Sequence, residues 1–219
     1  MVFPILGGNS AVATYSIDNS LRFNDGDSPY LSRTPSSAGD RRTFTFSFWF
    51  KRGNIGGNQT LFSNQNDLFY LNSDILGFDF SGALNGYYYF GNQVFRDVSA
   101  WYHIVLAIDT TDATGADRLK LYINGERLTP SGSSIPTQNY QTNINNAQVQ
   151  VIGKRQSNAD RYLDGYLSEY NFIDGQALSP TDFGEFDADS GIWKPIEYTG
   201  TYGTNGFYLD FENSGSLGA

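Results

Sequence analysis

The chain has 219 residues, is 16% aromatic and 17% charged, contains no cysteine and one histidine, and carries a formal net charge of −9. These figures exclude a disulfide framework, a thiolate metal site and a cysteine nucleophile, and they argue against nucleic acid as a partner, because that affinity comes mainly from clustered Lys and Arg. Aromatic side chains favour half-buried pleated surfaces, and 24 Gly with many Asn and Ser supply turns, so strands should dominate and helix should be scarce.

Met1–Gly8 is briefly apolar but lacks the basic start and long apolar run of a signal peptide, and no stretch is long enough to span a bilayer, so membrane insertion is not expected. Leu21 and Phe23 alternate with polar neighbours before Asn24-Asp25-Gly26-Asp27 turns the chain, which reads as an opening strand and bend. Residues 43–50 then follow a strict period of two, with Phe44, Phe46, Phe48 and Phe50 on one face and Thr43, Thr45, Ser47 and Trp49 on the other. Short apolar runs at 61–63, 68–72, 76–80 and 87–90, separated by turn residues, predict a meander.

Residues 101–109 are apolar on both parities, as in a central strand covered on its two faces. Leu119, Leu121 and Ile123 lead into Asn124-Gly125, the dipeptide that most favours a two-residue type I′ hairpin. Further strands are predicted at 149–152 and 166–173, the latter alternating Tyr166, Ser168, Tyr170 and Phe172 against Leu167, Glu169, Asn171 and Ile173. Ser179-Pro180 starts a short helix, Phe186 to Tyr202 reads as loop, and Phe207 to Phe211 as a last strand returning beside the first. The expected organisation is one unit over 1–219: an arm over 1–19, a main sandwich over 20–178, helix and loop over 179–206, a closing strand over 207–211 and a tail over 212–219. The fold class is therefore all-β, a two-sheet antiparallel sandwich with at most one short helix after residue 178.

The strings "SLRFNDGDSPYLS", "FTFSFWFKR", "WYHIVLAIDTT", "LKLYINGERL" and "LDGYLSEYNFIDGQALSP" resemble the laminin-G-like, concanavalin A-like jelly-roll superfamily over roughly residues 20–180. Longer strings, among them "YLSRTPSSAGDRRTFTFSFWFKR" and "GTYGTNGFYLDF", are similar to domains of tail-fibre and other virion structural proteins of bacteriophages. The resemblance implies a module at the virion surface that binds host-surface glycan, or alternatively a capsid decoration or fibre-assembly protein that contacts other virion subunits. A homo-oligomer is expected, because such assemblies are commonly symmetric.

The superfamily also includes glycoside hydrolases, whose catalytic strand carries carboxylates at i, i+2 and i+4. Glu185, Asp187 and Asp189 approach that pattern, but they follow the helix between Gly184 and Gly191 and read as a solvated acidic loop, so no catalytic residue is assigned. His103 could be imagined in a relay with Asp97 or Asp109, yet its strand context suits a hydrogen-bonded structural histidine. With no cysteine, a metal would need oxygen ligands, which suits Ca²⁺, and the resemblance implicates Asp25, Asp27 and Glu169. A glycan site needs an aromatic platform with planar polar groups beside it, and Trp49, Tyr88, Asn85 and Asn92 are the candidates. The same aromatics could instead cover a sheet face or a subunit interface.

Overall fold

The four alternating phenylalanines all reach the core at 0% exposure, and the architecture of the computed structural model is built around them. It describes residues 15–65, 67–80 and 87–212, and for 87–89 the backbone alone. In chain order the strands are β1 (Leu21–Phe23), β2 (Leu31–Arg33), β3 (Thr43–Arg52), β4 (Asn58–Ser63), β5 (Asp67–Asn72), β6 (Ile75–Phe80), β7 (Tyr87–Val94) and β8 (Trp101–Asp109). They continue as β9 (Leu119–Ile123), β10 (Glu126–Arg127), β11 (Pro130–Ser134), β12 (Gln150–Ile152), β13 (Gly165–Asp174), β14 (Gly184–Phe186), β15 (Trp193–Pro195) and β16 (Phe207–Leu209).

Two seven-stranded antiparallel sheets form the sandwich. The first is ordered β1, β13, β3, β8, β9, β10, with β16 also paired to β13, and the second β11, β7, β6, β5, β4, β12, β2. Strand β3 takes one edge of β13, so β1 (on 165–167) and β16 (on 170–172) share the other, and the last strand returns beside the first as the sequence predicts. Between the sheets, Phe46 meets Phe62 with ring centres 4.6 Å apart, and Phe48 meets Phe69 at 6.0 Å. The hairpin at Asn124-Gly125 forms with φ of 48° and 84°, as a type I′ turn requires.

Strand β8 is apolar on both parities because the first sheet is covered on its outer face as well. Ile104, Leu106 and Ile108 enter the main core, while Val105 packs outward with Ile173 and Phe183 under Tyr198 and Tyr202. The covering segment contains the expected helix as one 3₁₀ turn, Pro180–Asp182, closed by a capping box between Ser179 and Asp182. The acidic stretch predicted as loop instead forms a small hairpin, with β14 paired to β15. Its physical reason is Trp193, which is 8% exposed and ties β15 to the sheet beneath.

The alternation predicted along 166–173 is also corrected. A bulge between Ser168 and Asn171 leaves Glu169 at a φ of 50°, and one extra residue flips the parity of everything after it. Before it Leu167 is the core residue, and after it Tyr170 and Phe172 are, so Tyr166 and Tyr170 lie on opposite faces.

Candidate functional site

The site is built on the outer face of the first sheet, where the residues alternating with the core phenylalanines point. Ser47 and His103 are each 1% exposed and form its floor, and the half-buried Trp49 stacks on His103 with centroids 5.1 Å apart. The indole N–H of Trp193 donates to His103 Nδ1 (3.0 Å). An indole can only donate, so the neutral imidazole carries its proton on Nε2 and donates to Ser47 Oγ at 2.9 Å. Burial pushes the His103 pKa down to about 3. A Ser-His pair of this tautomer cannot take a proton from Ser47, because the lone pair a general base needs is already occupied by Trp193.

The wall comes from the bulge in β13 and from the strand beside it. Glu169 projects to the outer face, where Tyr15 and Tyr208 both donate to its Oε2, the latter at 2.7 Å. Its Oε1 has no hydrogen-bond partner among the described residues. Burial pushes the Glu169 carboxyl above its ordinary value despite those two donors. Asn171 Oδ1 accepts from Tyr202 Oη at 3.0 Å, and Tyr202 in turn stacks near Tyr208, with burial pushing its phenol up to about 12. Together with Tyr198 and Glu197 these residues enclose a concavity of about 350 Å³. A second hollow of about 310 Å³ adjoins it, shares Trp49 and Pro195, and adds Trp101, Asp18 and Ser168.

Trp49, expected as a ligand platform, and Glu169, expected as a metal ligand, are thus brought into one concavity. Asn92, Asp25 and Asp27 line neither hollow. Asn92 is exposed on β7 of the opposite sheet, and the backbone of Tyr88 pairs with Asp79 there. The Tyr88 side chain and Asn85 lie outside the described residues.

Asp25 and Asp27 sit in an exposed 3₁₀ turn after β1, where Asp27 accepts from the Asn24 amide at 2.6 Å. Among the described residues no group of three or more His, Asp or Glu is placed together to hold a metal, and the turn that carries Asp25 and Asp27 does not line the concavity of Glu169. Oε2 of the Glu169 carboxylate accepts from two phenols, and the Asp27 carboxylate accepts from the side-chain amide of Asn24 within the turn.

Tyr15, Trp101, Asn171, Tyr198, Tyr202 and Tyr208 also line the two hollows, and sequence reasoning did not single them out. The signal that could have found them is Phe186, Trp193, Tyr198 and Tyr202 crowded into a supposed loop, an aromatic density that suits a segment packed back on the sheet. A third hollow of about 310 Å³ opens between the free edges of β2 and β16, but it is an extension of the apolar core. Its one charged lining residue, Arg33, lies over the Phe207 ring and donates to the Asn205 carbonyl.

Two antiparallel sheets packed as a jelly roll, with an aromatic concavity on an outer face, define a lectin-like β-sandwich. Residues 25–182 match Laminin_G_3, the concanavalin A-like lectin/glucanases superfamily, and the chain belongs to that family. Solved structures of the same fold include the SAP-like pentraxin of Limulus polyphemus, with 19% identity, a TM-score of 0.50 and 72% of each chain covered. A putative carbohydrate binding protein from Bacteroides ovatus is similar at 15% identity and a TM-score of 0.52, over 82% of this chain and 52% of that one. A NanB sialidase variant from Streptococcus pneumoniae is similar at 18% identity and 0.51, over 79% of this chain and 30% of that one. No curated protein matches by sequence.

Proposed function

We propose that this chain is a carbohydrate-binding module that holds a saccharide in the Trp49 concavity without cleaving it. The observation that carries this reading is the convergence on one concavity of the Trp49 ring, the tyrosine wall and the Glu169 carboxylate, whose Oε1 has no hydrogen-bond partner among the described residues. A sugar offers an apolar ring face and a belt of hydroxyls, and it needs a matching aromatic surface with oriented acceptors. The family membership and the Bacteroides protein named as carbohydrate binding support the choice of ligand class. The resemblance to phage fibre domains supports a place for the module at the surface of a virion, where the ligand would be a host-cell glycan.

A glycan array probed with the whole chain, followed by titration calorimetry on each hit, tests the reading. Trp49→Ala is expected to weaken binding at least tenfold, the usual cost of removing an aromatic anchor. Hits that bind the variant as tightly as the parent would place the sugar elsewhere and refute the site.

A second reading, a subunit-contact role in fibre assembly, has its own surface. Phe186 is 51% exposed and Ile192 67% exposed, both on the β14–β15 hairpin. If that tip joins copies, the parent sediments as an oligomer and Ile192→Asp as a monomer, whereas identical sedimentation removes this reading.

A further inference from the structure

The charge of the ligand can be read from the walls of the same concavity, on the premise that a saccharide binds there. Among the described residues, Glu169, Glu197 and Asp18 line the two hollows and no Lys or Arg does. Two bases on this side of the sheet are already paired, and a third stands beside Trp101 outside the lining. Lys194 is paired with Glu185 and Asp187 at 3.3 and 3.2 Å, and Arg22 lies over Tyr166 and pairs with Asp164 at 3.2 Å. Lys51, two residues beyond Trp49 on β3 and opposite Trp101, lines neither hollow.

We propose that the Trp49 concavity selects uncharged saccharides and rejects sialic acids, uronates and other carboxylated sugars. The selection has an attractive and a repulsive part. Both phenols donate to Oε2 of Glu169, which leaves Oε1 an acceptor with no hydrogen-bond partner among the described residues. A sugar hydroxyl satisfies it with a charge-assisted hydrogen bond. A carboxylated sugar would bring a second acceptor-only group beside Glu169 into a half-buried site whose described lining residues include no guanidinium or ammonium to receive it. Discrimination against that class therefore comes from an unpaired, desolvated charge in the wrong complex, which is how specificity between ligands of similar shape is usually reached. The carboxylates of Asp210 and Asp18 lie close enough to reinforce the repulsion at Glu169.

The test is titration calorimetry of the full chain against neutral tetrasaccharides of glucose, galactose, mannose and xylose, and against sialyllactose and tetragalacturonate. At least one neutral probe is expected to bind with a Trp49→Ala loss of tenfold or more, and both acidic probes at least tenfold more weakly than it. Trp101→Ala repeats the comparison at a ring that is 37% exposed, so the result does not hang on the folding of one variant. Glu169→Gln is expected to weaken the neutral probe severalfold and to narrow the gap to the acidic probes. An acidic probe that binds as tightly as the neutral ones, and loses that affinity in Trp49→Ala, would leave the carbohydrate site standing and overturn its selectivity. Failure of all six probes to bind would sink the carbohydrate reading and this inference together.

Discussion

At the scale of single residues the costliest choice lies at the end of β3. Arg52 is 1% exposed, and its guanidinium donates to Asp74 Oδ1 (2.9 Å), to the Phe95 carbonyl (2.6 Å) and to the Asn54 carbonyl (3.0 Å). Asp74 also accepts from Arg96 and from the Gly56 amide, and with Arg52 these hold its carboxyl down at about 2. Removing one partner of such a pair strands the other charge in the interior, which costs more than the pair contributes when intact. Asp74→Ala should therefore lower unfolding stability by about 3–5 kcal/mol. Arg96→Ala, which removes an exposed partner of the same carboxylate, should cost no more than about 1 kcal/mol. Denaturant titration separates the two, and equal losses would mean that burial of Arg52 is not what matters. In the sequence Arg52 closes "FWFKR" and looks like the solvated end of a strand. What buries it is the loop from 54 to 56 and the turn at 73–74 folding over it, contacts that no pattern along β3 encodes.

At the scale of elements, strands were legible wherever one face is buried and the register is continuous. Residues 43–50 and the Asn124-Gly125 hairpin form as their periodicity and turn chemistry dictate. Reading failed where a local irregularity changed the rule. The bulge at Glu169 is invisible to a period-of-two count because both parities near it carry apolar residues, and it is what aims that carboxylate into the concavity. Half of the site was legible for the same reason. Trp49 follows from parity alone, whereas Tyr198, Tyr202 and Tyr208 arrive from distant segments whose docking depends on tertiary contacts.

That docking has a specific fastener. The Trp193 ring sits in space left by two glycines: a Cβ at Gly125 would lie 2.5 Å from it, and one at Gly184 also 2.5 Å. Gly125 is additionally at a φ of 84°, where a side chain is strained. Gly184→Ala therefore has to displace the indole and break its bond to His103. Loss of about 2–3 kcal/mol is expected, as for overpacking of a tight site. The local signature is faster amide exchange over β14 and β15 with the main sandwich still protected, and uniform protection in the variant would remove the fastener role from Trp193.

The whole molecule combines two buried titratable groups whose effects on stability oppose each other. His103 has its pKa lowered from 6.5 to about 3 by burial, so between those limits the unfolded chain binds a proton that the folded chain refuses, and acidification destabilises. Asp67 is raised from 3.8 to about 6, mainly by burial and in spite of hydrogen bonds from Asn64 and from the Asn143 and Ile144 amides. Between pH 6 and about 4 the folded chain holds that proton and the unfolded chain releases it, so acidification stabilises. The two trends overlap and partly cancel over that interval. Below pH 4 the lowered carboxylates of Asp74 and Asp160 add to His103 in the destabilising direction. The parent should therefore show a shallow decline in melting temperature from pH 6.5 to 4 and a steep one below. In Asp67→Asn the side-chain oxygen can still accept from the amides of Asn143 and Ile144, but the group no longer titrates. That variant should melt higher than the parent at pH 7, lose its advantage as the pH falls through 6, and decline steeply over the whole range. The imidazole of His103, followed by its nitrogen shifts, should stay neutral with the proton on Nε2 throughout pH 5 to 8. Parallel melting curves for parent and Asp67→Asn between pH 6.5 and 4 would show that Asp67 is ionised in the fold, and would leave His103 to account for the acid sensitivity alone.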